Sequence, residues 1–229
     1  GKHPPSPAQV KILMPFAGIW WKGENEKPAR RLHGPAVLLH RQGELTFHLV
    51  PTAFFQINPE QTDILLRLVI EAVEELPLSA TVTDLFCGAG LFALHLAQAN
   101  RKVVGYELAG DGLASAGLTQ TALPDDHPGR EVSFLPADLR AGLPVAAAIS
   151  DVIVVDPPRS GLSPELVADL IQARWKRLIY VSCNPGTMAR DLKILTADPH
   201  LGLTSVTPVD CFPNTGHVEG VALIDRLSE

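Results

Sequence analysis

Residues 81–99 read TVTDLFCGAGLFALHLAQA. The stretch opens on alternating β-branched residues, turns through Phe86-Cys87-Gly88-Ala89-Gly90, and closes on an apolar helical run. Gly88 and Gly90 allow a tight turn and let backbone approach a ligand. Strand, glycine turn and helix in that order form the first half of a β-α-β unit. The next strand, KVVGYEL, ends on Glu107, nineteen residues after Gly88. A carboxylate at that place can accept both hydroxyls of an adenosine ribose.

Working outward, the same alternation continues. EVSFLP reads as a third strand, and SDVIVVD as a strand buried on both faces. RLIYVSC reads as a fifth. Helices are expected over 109–121, from Ser163-Pro164, and from Pro185 onward. Upstream, Asn58, Pro59 and Gln61 form a helix start: an N-cap, a proline at the first position, and a capping-box partner. Ile64, Leu65, Leu68, Val69, Ala72, Val73 and Leu76 then mark one helical face. LTSVTPVDCF and GHVEGVALIDRL read as a hairpin-like pair of closing strands. The fold class is therefore α/β, doubly wound, with a mostly parallel Rossmann-like sheet.

Residues 1–50 differ. VKILM and ELTFHLV read as β runs around the polar segment KGENEKPARRLHG, behind a loose Pro-rich start. The expected division is a partial central β domain over 1–50 and a catalytic domain over 51–229.

The 229 residues are 46% hydrophobic with a net charge of −6, enough for a core and mildly against a dedicated nucleic-acid binder. Basic clusters occur at Lys27, Arg30, Arg31 and His33, at His40 and Arg41, and at Arg174, Lys176 and Arg177; such clusters are most often solvated surface. No apolar run reaches membrane-helix length and no leader pattern opens the given sequence, so a soluble cytoplasmic monomer is expected. Three cysteines without a C-x-x-C pair argue against disulfides and zinc.

Ligand sites in such sheets lie outside the carboxyl ends of the strands. Phe86, Gly88, Gly90, Glu107, Asp138, Asp156 and Cys183 all fall there. Gly88-Ala-Gly90-Leu-Phe-Ala93 also satisfies the dinucleotide pattern, so nicotinamide cofactors and S-adenosylmethionine both stay open at this point. Asp156-Pro157-Pro158-Arg159 is a stiff loop, since two prolines fix φ and remove two donors. Arg159 occupies the place where amino-group methyltransferases carry an aromatic. Cys183 precedes Asn184-Pro185, a helix start whose dipole favours thiolate. Cys87 and Cys211 are expected to pack. Glu219, in FPNTGHVEG, is open between a solvated and a catalytic role.

Together PTAFFQINPEQ, DLFCGAGLF, GYEL, VVDPPRSGL, YVSCNPGTMARDL and FPNTGHVE resemble the S-adenosylmethionine-dependent RNA uracil-C5 methyltransferases, over about residues 45–229. The resemblance implies seven strands and methyl transfer to C5 of uridine in RNA, with 23S rRNA placed ahead of tRNA. It implies Cys183 as the nucleophile on uracil C6 and Glu219 as the base for the C5 proton. It implies Gln56, Phe86, Gly88, Gly90, Glu107, Asp138 and Asp156 as cofactor contacts. Phe55, Asp156 and Arg159 are implied at the base, with Phe55 stacking on it. Two departures stand out. Leu91 replaces a small polar residue, and the opening 50 residues match only the end of the family's central domain. The amino-terminal TRAM barrel and the iron–sulfur cysteines have no counterpart, so weak RNA binding is expected of this chain alone, as a fragment or a reduced form. A non-catalytic binding remnant and a nicotinamide-dependent oxidoreductase are the alternatives.

Overall fold

The computed structural model describes residues 5–13, 18–22, 29–99 and 101–227. Its first part comprises α1 (Pro7–Leu13), β1 (Ile19–Trp21), β2 (Arg30–His33), β3 (Leu38–Gln42) and β4 (Leu45–Leu49). Then follow α2 (Pro59–Glu74), β5 (Thr81–Leu85), α3 (Leu91–Gln98), β6 (Lys102–Glu107), α4 (Gly110–Ala122) and β7 (Ser133–Pro136). The last part is β8 (Val152–Val155), α5 (Pro164–Gln172), β9 (Arg177–Ser182), α6 (Pro185–Leu195), β10 (Leu201–Val209) and β11 (Glu219–Arg226).

Seven strands form one sheet in the order β10-β11-β9-β8-β5-β6-β7. β11 runs antiparallel to β9 and β10, and the other pairs are parallel. Side chains alternate across a strand, and the core divides accordingly. Val82, Val152, Val154, Ile179 and Val181 face one apolar cluster with α2 and α3. Leu85, Ile153, Val155, Leu178 and Tyr180 face the other, with α5 and α6. Both faces of β8 are buried, which is why its sequence is an unbroken apolar run. The chain steps outward from β5 through β6 to β7, then returns to β8 on the other side of β5. This reversal opens a crevice at the carboxyl ends of β5 and β8.

The caps act as their residue types dictate. Asn58 Oδ1 accepts from Gln61 N at 3.3 Å to start α2. Ser163 Oγ accepts from Leu166 N at 3.1 Å to start α5. Asn184 Oδ1 accepts from Gly186 N at 3.0 Å and Thr187 N at 3.4 Å to start α6.

The first fifty residues differ from the expectation. VKILM was expected as β; Val10–Leu13 belong to α1. Ser6 Oγ accepts from Gln9 N at 3.4 Å and Gln9 Oε1 accepts from Ser6 N at 2.8 Å, a capping box with Pro7 at the first position. That local start outweighs the β-like character of the apolar residues. Met14 and Lys27 lie outside the described residues.

Two antiparallel pairs, β1–β2 and β3–β4, precede α2; β4 falls in the expected run ELTFHLV, whereas β2 falls in the segment read as polar and β1 and β3 in neither. The second pair is joined to the main core. Leu45, Phe47 and Leu49 alternate into the same cluster as α2 and α3. On the other edge, His48 N donates to Thr119 Oγ1 at 2.9 Å and Val50 N to Ser115 Oγ at 3.0 Å, both on α4. The cluster at Lys176 and Arg177 is largely structural: Lys176 pairs with Asp151, and Arg177 with Glu75 and Asp225. No helix of the described residues is long and apolar enough to cross a membrane.

Candidate active site

A cavity of about 840 Å³ opens at the carboxyl ends of β5, β6, β8 and β9. Its size suits a small-molecule or cofactor site. One half is built by the glycine turn. Phe86 takes φ +62°, a left-handed conformation rare for an aromatic residue. Gly88 follows, also with positive φ. Glu107 fastens this turn: its Oε2 accepts from Gly88 N at 3.0 Å and its Oε1 from Ala109 N at 2.6 Å. Each carboxylate oxygen has two acceptor sites, so Glu107 can hold the turn and still accept two hydroxyls. A side chain at Gly112 would reach Gly88 O at 3.0 Å, so α4 begins directly against the turn.

Asp138, past the end of β7, also lines the cavity. Arg140 grips both its oxygens at 3.0 Å and holds its carboxyl below the usual range.

The other half gathers Asp156, Arg159, Cys183 and Glu219 from three separate chain segments. Glu219 begins β11 with 2% exposure, and its Oε2 has no partner. Burial raises its pKa and the Arg159 guanidinium opposes the rise. Burial, then the charges of Glu219 and Asp84, push Asp156 well up. Burial, then Glu219 and Asp156, push the Cys183 thiol up, with Arg159 pulling it back. Asn184 does cap α6, so the helix terminus favours thiolate while burial and the two neighbouring carboxyls oppose it.

A family model for tRNA (uracil-5-)-methyltransferase matches residues 141–227. An RNA methyltransferase of Listeria monocytogenes, otherwise uncharacterised, is 38% identical over 184 residues, 79% of this chain and 39% of the relative. One from Gloeobacter violaceus is 42% identical over 180 residues, 79% of this chain and 38% of the relative. The crystal structure of Pyrococcus abyssi tRNA (uracil-54, C5)-methyltransferase in complex with S-adenosyl-L-homocysteine superimposes with a TM-score of 0.77 at 30% identity, covering 96% of this chain and 53% of that one. The chain is thus similar to tRNA (uracil-5-)-methyltransferases over residues 141–227 and to RNA methyltransferases over most of its length. It spans about two fifths of the length of the curated relatives it matches.

Of the residues that resemblance to the uracil-C5 methyltransferases singles out, Gln56, Phe86, Gly88, Glu107, Asp138, Asp156, Arg159, Cys183 and Glu219 line the one cavity. Gly90 does not. It takes φ +84° as the N-cap of α3, and a side chain there would strike Phe134. Phe55 does not either. It turns into the core, with its ring 4.9 Å from Phe47 and 5.0 Å from His40. Phe54 lines the cavity instead and is 74% exposed. Phe212 and Arg140 also line the cavity and were not singled out. Cys87 and Cys211 are buried, each 5% exposed.

Proposed function

We propose that this chain carries the catalytic half of an RNA uridine-C5 methyltransferase, using S-adenosylmethionine as the methyl donor. The convergence of Cys183, Asp156, Arg159 and Glu219 in the cavity whose other half is the Glu107-fastened glycine turn carries the reading. The acidic lining suits a cationic donor, and Glu107 retains acceptor sites for ribose hydroxyls. S-adenosylmethionine, when bound, supplies a methyl group on a positively charged sulfur.

Cys183 is placed to add to C6 of uracil. Its sulfur forms a bond to C6 while the thiol proton passes to the Asp156 carboxylate, and the C5–C6 π pair makes C5 a nucleophile. Asp156 and Glu219 are the carboxyls in the same cavity that can take protons. After C5 is methylated, Glu219 takes the C5 proton, the C6–S bond breaks and the sulfur is released as thiolate. The raised carboxyl of Glu219 makes it a stronger base than a solvated glutamate. Arg159 tempers the accumulated negative charge. Phe54, exposed on the cavity wall, offers the face on which a splayed-out base can stack; leaving a duplex costs a few kcal/mol.

The test uses labelled methyl donor with undermodified 23S rRNA and tRNA. Cys183→Ala should transfer no methyl. Glu219→Gln should accumulate an RNA adduct that survives denaturant. A Glu219→Gln variant that binds RNA and S-adenosylhomocysteine but forms no adduct removes the base role. NAD binding in place of S-adenosylhomocysteine would favour the oxidoreductase reading instead.

A further inference from the structure

Pro158, Arg159 and Ser160 are exposed, in the loop between β8 and α5. An exposed loop that carries a functional arginine has to be fixed from outside its own residues. Here the fixing comes from α6 and its cap. Asn184 Nδ2 and Thr187 Oγ1 both donate to Arg159 O, at 3.1 and 3.3 Å. Arg190 Nη2 donates to Ser160 O at 2.9 Å and to Leu162 O at 3.3 Å. Asp191 Oδ2 accepts from Leu162 N at 2.9 Å and from the Tyr180 hydroxyl at 2.8 Å. Asp191 is 1% exposed and its Oδ1 lies 2.7 Å from Arg190 Nη2. The approach is so close that a side chain on Gly161, at φ +76°, would come within 2.5 Å of Asp191 Oδ2 and 2.7 Å of Arg190 Nη2.

We propose that Arg190 and Asp191 are positioning residues that hold the 159–162 backbone so that Arg159 stays over Cys183 and Glu219. Its relevance to catalysis rests on Cys183 being the nucleophile. A charge-assisted pair fixed by its own geometry is stiffer than a neutral contact, and Asp191 reaches the loop and β9 with one oxygen. Three groups face the Cys183 thiol: Glu219 from β11, and Asp156 and Arg159 from the clamped loop. Only Arg159 among them favours the ionised sulfur. Letting the loop go therefore changes the reactivity of Cys183 without touching it.

The experiment is iodoacetamide alkylation of Cys183 in the ligand-free chain across pH 6.5–10, read by peptide mass, with buried Cys87 and Cys211 reporting that the fold is intact. Arg190→Gln should slow alkylation at pH 8 by about three- to tenfold, a midpoint shift of up to about one pH unit. Arg159→Gln should slow it by as much, and the Arg159→Gln/Arg190→Gln double variant no further, because both act on one interaction. Arg190→Lys should fall between the parent and Arg190→Gln. Arg177→Gln breaks ion pairs at the opposite end of β9; it should lower the melting temperature and leave the alkylation profile alone. An Arg190→Gln profile equal to the parent's, or additive slowing in the double variant, overturns the proposal. Alkylation needs no RNA, so a chain that fails to methylate would refute the functional reading and leave this result standing.

Discussion

Asp84 gives the sharpest quantitative prediction. It lies in β5 beneath the glycine turn, 0% exposed. Its Oδ2 accepts from Ala93 N at 3.0 Å, and its Oδ1 has no partner. Burial lifts its pKa to about 8; the Ala93 bond opposes the rise and the Glu107 charge adds to it. In the unfolded chain the value is about 3.9. The folded state thus keeps a proton that the unfolded state has lost. The sign follows: stability from this group is complete below about pH 4, declines as pH rises, and levels off above about pH 8. At about 1.4 kcal/mol per unit, the fold loses about 4 kcal/mol from this group between pH 5 and pH 8. Asp84→Asn keeps an acceptor for Ala93 N and cannot ionise. It leaves a buried amide with unpaired donors, a penalty of about 1–3 kcal/mol that does not vary with pH. Urea unfolding of both ligand-free proteins at pH 5 and pH 8 measures the difference. The stability of the parent relative to Asp84→Asn should fall by about 4 kcal/mol over that interval. Relief of Asp156, which Asp84 also raises, acts in the same direction. A difference that stays constant with pH would show that Asp84 is ionised in the fold, or is hydrated there, and would refute the reasoning.

Other predictions test the site. Phe54→Ala should weaken RNA binding and reduce adduct formation while leaving the melting temperature within about a degree, since surface changes cost little. Phe55→Ala should instead cost about 3 kcal/mol in denaturant unfolding, because it empties part of the core against Phe47. Glu107→Ala should weaken S-adenosylhomocysteine binding by about tenfold or more in calorimetry, losing both the ribose acceptors and the brace on Gly88 N. Asn184→Ala should cost about 1 kcal/mol for the lost cap and speed exchange of the amides of Gly186 and Thr187.

Much of the fold was legible because its signals are local. Caps at Asn58, Ser163 and Asn184, the glycine turn, and the apolar run of β8 each act over a few residues. Their order, strand with helix, implies a parallel sheet whose strand ends hold the site. That is why Glu107, Asp156 and Cys183 could be selected before their positions in space were known. Where a local signal was passed over, the reading went astray: the Ser6–Gln9 capping box made α1 from residues expected in a strand.

The sequence by itself determined which residue types stand at the strand ends and where the helices begin, since periodicity and capping need no distant partner. Only the tertiary structure decided which of Phe54 and Phe55 faces the cavity, because that depends on Phe47 and His40 arriving from the β3–β4 hairpin. Only it raised the pKa values of Cys183, Asp156 and Asp84, because desolvation and like-charge repulsion arise between groups brought together from distant parts of the chain. And only it joined Arg190 and Asp191 to the Arg159 loop, a contact across some thirty residues of chain that no local pattern encodes.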